Sequence, residues 1–408
     1  MAAITAVNPP AATRPARSRH NLMLAMSMLG FALNFWAWAL LSPLGAHFKD
    51  ALSLSSFDQA LLVAVPVIVG SLGRIPVGAL TDRFGGRVMF PLVSALTIFP
   101  VLFIAYAGYR SYAGLLVGGF FLGIGGTSFA VGVPFVNAWF PPARRGAALG
   151  LFGMGMGGTA ISALTTVKLV DRHGIQTPFL IVAVALAIYA VVAAVVLRDA
   201  PGRVPPSEKT MARLAATARL AVTWQAAALY AVGFGGYVAF SVYLPTYLKN
   251  AYALTQDDAA MKMAGFVLLA VALRPIGGWL SDRFAAARVL AASFAVVAVF
   301  ALVQSATPAL SPTGTLAFLA MAAALGMASG AVFALVAQRA PASRVGAVTG
   351  VVGAAGGLGG FVPPLFMGSI YGSTNSYAGG LAALAVVAVL AAVGAFAMGR
   401  RPSRPLAE

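Results

Sequence analysis

Long apolar stretches recur twelve times along this chain, and they limit its possible folds more than any other feature. They run over roughly 22–46, 57–81, 88–108, 112–139, 146–168, 177–197, 222–248, 260–281, 288–306, 313–337, 345–371 and 377–399. Several exceed the roughly 18 apolar residues that mark a membrane span. In hydrocarbon a segment must satisfy its own backbone N–H and C=O groups, so an isolated span is a helix. The period-two alternation of a membrane β-barrel is absent. Charged residues make up only 9% of the 408, against roughly 25% in a soluble domain. Mean hydropathy is +0.89. The fold class read from this pattern is an all-α membrane protein of twelve transmembrane helices.

The remaining composition narrows the chemistry. Cysteine is absent, which excludes disulfides, thiolate nucleophiles and Cys-metal sites. The net charge of +17 does not point to nucleic acid, because the basic residues sit in short loops beside the spans. His20, His47 and His173 lie at span ends or in loops. No metal site, cofactor or hydrolytic triad can be assembled from this inventory inside the membrane, and no enzyme activity is expected. Residues 1–21 are expected to be a disordered terminus rich in Pro, Ala and Arg. The apolar segment after them is too long for a signal-peptide core and reads as an uncleaved first span.

The loops predict orientation. If both termini share one side, that side carries nineteen Lys and Arg, among them Arg14, Arg17, Arg19, Arg83, Arg87, Arg144 and Arg145. The other side carries six: Lys49, Arg110, Lys168, Arg172, Lys249 and Lys262. The positive-inside rule then places both termini in the cytoplasm of an inner-membrane protein. The polar, basic segment 199–221 reads as a cytoplasmic linker between six-span halves at 22–198 and 222–399, with a cytoplasmic tail at 400–408.

Those halves repeat each other. "GRIPVGALTDRF" (73–84) and "LRPIGGWLSDRF" (273–284) share Arg, Gly, Leu, Asp, Arg and Phe at an offset of 200 residues. "RRGAALGLFGMGMGG" (144–158) and "RVGAVTGVVGAAGGL" (344–358) share six more positions at the same offset. An ungapped offset at two separate places implies duplicated halves. Parallel repeats of this kind are related by a pseudo-twofold axis along the membrane normal, with the substrate site between them near mid-membrane.

Arg74 and Arg274 occupy matched places inside spans. Each lies eight residues from an end-of-span aspartate, roughly 12 Å into a core about 30 Å thick. A charge at that depth faces a cavity or a partner. The ten acidic residues all lie in loops or at span ends, so neither arginine has a carboxylate within the membrane. One reading has each guanidinium bonded to backbone carbonyls and hydroxyls in a packed interface. The other has an anion arriving as substrate, held from two sides by planar forks of parallel donors.

Three further groups of residues draw attention. Gly150, Gly153 and Gly157 in span five match Gly350, Gly353 and Gly357 in span eleven. Small residues at helix interfaces permit close approach and sliding, so these glycines are expected to move in alternating access, with ordinary close packing as the plain alternative. Asp82, Arg83 and Arg87, with Asp282 and Arg283, form loop clusters that could latch one conformation on the cytoplasmic side. Aromatics dot the expected cavity helices, among them Phe35, Trp38, Phe129, Tyr230, Phe234 and Tyr237, with Asn34 and Thr159 among the few polar groups at mid-span.

Taken together, "GSLGRIPVGALTDRFGGR" (70–87), "FLGIGGTSFAVGVPFVNAWFPPARRGAALGLFGMGMGGTA" (121–160), "ALRPIGGWLSDRF" (272–284) and the span-eleven glycines resemble the nitrate/nitrite porter family of the major facilitator superfamily. The resemblance implies that Arg74 and Arg274 clamp the anion, that Tyr230, Phe234 and Phe129 line the site, and that the glycine segments are nitrate signatures. One position departs. Met156 stands about where many members carry a substrate-contacting Asn, a contact that Thr159 could take over.

The function read from the sequence is secondary transport of a small oxyanion, nitrate and/or nitrite, by alternating access and by anion exchange. The expected partners are the small anion and the lipid bilayer, and a monomer is expected. Transport of organic carboxylates, or anion sensing without transport, stays open at this point.

Overall fold

A computed structural model of the chain describes residues 17–201, 203, 215–341 and 345–400. Among these residues there is no strand. Twelve helices are long and apolar enough to cross a membrane. Numbered in chain order, spans one to six are Arg19–Trp38, Ser56–Phe84, Gly86–Tyr106, Tyr112–Trp139, Ala148–His173 and Gln176–Val196. Spans seven to twelve are Ala221–Tyr252, Gln256–Phe284, Ala286–Ser305, Leu310–Arg339, Ala347–Thr374 and Ala378–Arg400. The chain is an all-α, multi-pass membrane protein, as its hydropathy pattern requires.

The first helix differs from the sequence reading at both ends. The first helix begins at Arg17, so residues 17–21 are helical, although 1–21 were expected to lack structure. The same helix ends at Trp38 and does not continue to 46. The chain turns through 39–44 and resumes as the short helix Gly45–Leu52. Pro43 cannot supply a helical N–H. The turn is held by the opposite half instead: Ser42 Oγ donates to the carbonyls of Val242 (2.8 Å) and Ser241 (3.0 Å) in span seven.

That contact belongs to a polar layer at the end of the bundle away from the 199–221 segment. Gln59 Nε2 donates to Thr246 Oγ1 at 3.1 Å. Gln256 Nε2 donates to the Pro43 carbonyl at 2.5 Å. Lys249 pairs with Asp50 at 2.8 Å, and Lys168 with Asp257 at 3.8 Å. Every one of these bonds joins the first six spans to the last six. Exposed ion pairs contribute little singly, so the layer gains its hold from the number and burial of the neutral bonds beside them.

Within each half, spans pack through small residues at matched register. Gly126 of span four lies against the Cα of Gly70 in span two, and Gly326 of span ten lies against the backbone of Ala270 in span eight. Both pairs sit about one helical turn from an arginine, Arg74 or Arg274. Gly330 adds a contact with the carbonyl of Arg274 itself. Backbone contact of this kind fixes span two against span four, and span eight against span ten. Asn34 does a related job in span one. Its amide donates to the Gly30 carbonyl and to Ser94 Oγ, both at 2.8 Å, and its Oδ1 accepts from Thr97 at 3.3 Å. The side chain is therefore used up in tying span one to span three, away from the interface of the halves.

A Cβ at Gly326 would collide with main-chain atoms, whereas one at Gly350 would meet nothing within 4 Å. Gly326→Leu is expected to destabilise the fold by about 1–3 kcal/mol or more. Gly350→Ala is expected to leave it unchanged. Thermal unfolding of the two purified variants, followed by size-exclusion chromatography, checks the contrast; equal melting midpoints would contradict it.

Candidate functional site

The site grows from a break in span two. Pro76 has no N–H to give the Leu72 carbonyl, and its ring crowds that turn. The helix divides there into Ser56–Leu72 and Arg74–Phe84, with Gly73 between them. Arg74 thus opens a new helical segment in mid-membrane. Span eight also carries a proline next to its arginine, Pro275, yet its helix runs unbroken over Gln256–Phe284. Both arginines are buried, 7% and 8% exposed.

The two guanidinium groups share one aromatic ring. Arg74 Cζ lies 5.5 Å from the centroid of Phe234 in span seven, and Arg274 Cζ lies 5.6 Å from the same centroid. Each arginine also has a ring of its own: Phe129 of span four for Arg74, at 5.1 Å, and Phe333 of span ten for Arg274, at 5.8 Å. Tyr230 stacks on Phe234 at 4.9 Å with the planes 3° apart. The faces of these rings carry partial negative charge, which offsets some of the desolvation of the buried cations.

One polar contact of each arginine crosses between the halves. Arg74 Nη1 donates to the Gly353 carbonyl of span eleven at 2.7 Å, and its Nε donates to the Gly126 carbonyl at 3.4 Å. Arg274 Nη2 donates to Tyr230 Oη at 2.8 Å, and its Nη1 donates to the sulfur of Met156 in span five at 2.6 Å. Among the described residues neither guanidinium has an ion pair with a carboxylate. The plainer sequence reading, arginines bonded to carbonyls and hydroxyls, therefore describes some of their contacts, but the acceptors do not neutralise two full charges. A small cavity adjoins Arg74, bounded by Phe35, Trp38, Ser71 and Gly357. It has room for about one water.

The structure brings together Arg74, Arg274, Tyr230, Phe234 and Phe129. It places Thr159 elsewhere. The Thr159 hydroxyl donates to the Met156 carbonyl at 3.0 Å and lies 3.4 Å from Tyr237 Oη. Thr159 therefore reaches the site only through its neighbours, Met156 and Tyr237, the latter stacked on Phe234 at 5.9 Å. Sequence reasoning missed Phe333 and the acceptor role of Met156. The position matching Phe129 is Ser329, and Phe333 stands one helical turn further on. A search for aromatics one turn either side of each matched position would have found it.

The matched glycines are not equivalent. Gly357 presses against Ser71 across the interface of the halves, while Gly157 faces open space. A Cβ on Gly353 would lie 3.5 Å from Phe129, and one on Gly153 4.0 Å from Arg274. A Cβ on Gly150 would meet Pro275 at 3.8 Å. The tightest approaches fall on neighbours instead, with Gly356 against the Tyr230 ring and Gly158 against the backbone of Ala32. These neighbours pack spans of the same half together.

At the expected gate, residues of the 199–221 segment fasten onto the end of span two. Arg203 Nη2 donates to the carbonyls of Asp82 (2.5 Å) and Thr81 (3.2 Å), and Asp199 Oδ1 accepts from the Arg87 backbone N–H at 3.2 Å. Gln338 donates to the Ser281 carbonyl at 3.3 Å in the corresponding place of the second half. Arg83 lies over Phe84 at 5.3 Å and Arg283 over Phe284 at 5.7 Å. Asp282 is exposed. Arg344 lies outside the described residues.

Known proteins resemble the chain over nearly its whole length. The description Major Facilitator Superfamily matches residues 27–364 and, in an overlapping match, 226–408. A protein of Mycobacterium tuberculosis named "Probable nitrate/nitrite transporter NarK2" is 51% identical over 373 residues, 91% of this chain and 94% of the relative. A Bacillus subtilis "Nitrite extrusion protein" is 35% identical, over 91% of this chain and 93% of its own length. A Staphylococcus haemolyticus "Probable nitrate transporter NarT" is 32% identical, over 92% and 96%. Among solved structures, a bacterial homolog of the human lysosomal transporter Spinster superposes with a TM-score of 0.73 at 19% identity, covering 94% of this chain and 98% of that one. This last likeness carries the fold alone. With its twelve spans, its duplicated arginine segments and relatives of this identity along its length, the chain belongs to the nitrate/nitrite porter family of the major facilitator superfamily.

Proposed function

We propose that the chain is an inner-membrane secondary transporter of nitrate and/or nitrite, with Arg74 and Arg274 as the two sides of an anion clamp. The observation that carries this reading is the pair of buried guanidiniums over one phenylalanine ring, with no carboxylate partner among the described residues. A planar oxyanion complements such a site. Its oxygens accept from the parallel donors of a guanidinium, and its flat face suits the stacked faces of Phe234 and Tyr230. Tyr230 Oη accepts from Arg274, so its own proton is available to donate to the anion. Phe129 and Phe333 back the arginines, and Thr159 steadies Tyr237 behind Phe234. The relatives' names give nitrate, nitrite or both.

The moving parts in this reading are 22–198 and 222–399, joined by a cytoplasmic linker at 199–221, with the termini in the cytoplasm and a monomer as the working unit. The polar layer from Ser42 to Lys249 closes the outer face. Gly150, Gly153, Gly157, Gly350, Gly353 and Gly357 lie on the surfaces that shift as it opens. Asp82, Arg83, Arg87, Asp282 and Arg283 form the cytoplasmic gate, with Arg203 and Gln338 bracing the span ends beneath it.

Exchange follows from the charge at the site. Closing the halves around two guanidiniums without an anion desolvates both charges with nothing to neutralise them. Arginine stays protonated, so it cannot relieve that cost by titrating. Return of the carrier is favoured when a second anion occupies the clamp, which is exchange of one anion for another.

Arg74→Lys and Arg274→Lys keep the charge and lose the fork. Each is expected to lower uptake of labelled nitrate into proteoliposomes by about ten- to a hundredfold at normal protein content. Near-normal uptake by both variants would sink the clamp. For exchange, liposomes are loaded with nitrite or with an inert anion, with and without an inward pH gradient. Strong uptake is expected only against internal nitrite, with weak net uptake against the inert anion. Uptake driven by the pH gradient into liposomes lacking an exchangeable anion would replace exchange with proton symport.

A further inference from the structure

Each clamp arginine reaches an acceptor on the opposite half, and the two acceptors differ in kind. Arg74, in the first half, donates to the main-chain carbonyl of Gly353 in span eleven. Arg274, in the second half, donates to the thioether of Met156 in span five. A carbonyl is a strong acceptor fixed by its helix. A thioether is a weak one. Methionine also has three rotatable bonds, so its sulfur can swing away without moving the backbone. Met156 is buried, 2% exposed, on the short 3-10 segment Met154–Gly157. The adjacent Gly157 faces open space.

We propose that Met156 is a stand-in ligand of Arg274, holding the Nη1 donor whenever the anion is away and yielding it when the anion binds. This rests on the clamp reading above. It makes Met156 a residue that sets anion affinity and the rate of carrier return. An anion that takes Nη1 must first displace the sulfur, so the sulfur competes with it. When the anion leaves, the sulfur satisfies a buried charged donor and ties span eight to span five across the interface. The Met156–Arg274 bond thus eases the step that two unneutralised charges would otherwise oppose. The weakness of the thioether suits this role, because a strong resident acceptor would keep the anion out.

The test uses the full chain with Met156→Leu, which preserves approximate volume and removes the acceptor. Met156→Ile removes the same acceptor with a different shape and guards against a packing defect of one variant. Nitrate binding is measured on purified protein, and net uptake and nitrate–nitrite exchange are measured in proteoliposomes. Binding is expected to tighten about three- to tenfold, and net uptake to fall by a similar factor while exchange is retained. A purely structural role would not move affinity and net flux in opposite directions. Both shifts are required, and the absence of either in both variants overturns the assignment. Arg274→Lys is run in parallel. If it loses nitrate binding while Met156→Leu behaves as wild type, the clamp stands and the role of Met156 falls. If it binds nitrate as wild type does, the clamp reading itself fails.

Discussion

Two guanidinium groups held in the middle of a helical bundle, with no ion pair to a carboxylate among the described residues, set the terms for the rest of this structure. A buried cation demands acceptors and polarisable surroundings. The protein supplies them sparingly: one carbonyl from each of two glycine positions, one hydroxyl, one thioether, and the faces of three phenylalanine rings. A carboxylate would have neutralised either charge and competed with an anion. The arrangement holds the arginines in defined places and leaves their charge in force.

Holding them requires close backbone contact. Span two can carry Arg74 at the start of a new helical segment because Pro76 interrupts the hydrogen bonds there and because Gly126 lets span four approach Gly70. Span eight achieves the same placement without a break, through Gly326 against Ala270 and Gly330 against the Arg274 carbonyl. The two halves are thus alike in register and unlike in detail. The shared ring, Phe234, has no aromatic counterpart in span one, where the matched residue is Asn34. That residue serves the packing of span one against span three. The duplicated halves supply two charges, and a single aromatic residue of one half gathers them.

Much of this was legible in the chain. The twelve spans follow from hydropathy because hydrocarbon permits only internally bonded helices. The duplication is visible at a constant offset of 200 residues, and the arginines stand out because charge within a span is rare. Phe129, Tyr230 and Phe234 were marked through family resemblance, and the structure gathers them around the arginines. Thr159 was marked too, but its hydroxyl turns toward Tyr237. Phe333 was not marked, since it sits one turn from the position that the offset pairs with Phe129. The early end of the first span was missed because the residues after Trp38 are as apolar as those before it. Only a contact with span seven shows that Ser42 lies in a turn.

What the sequence determined by itself was the solvent of each segment, the order of the spans, their repetition and the location of two charges along them. Those are local properties, read from the transfer cost of each residue into hydrocarbon and from spacing along one helix. Which side chains surround those charges was decided by tertiary structure alone. The partners of Arg74 and Arg274 lie 44 to 279 residues away in the chain. Two of them are main-chain carbonyls, which every residue carries and no residue type announces. Met156 is the sharpest case. In the sequence it stands out only as the loss of a polar contact that the resemblance implies. It becomes an acceptor only when span five is packed against span eight, because a weak acceptor gains importance when a buried donor has few others within reach.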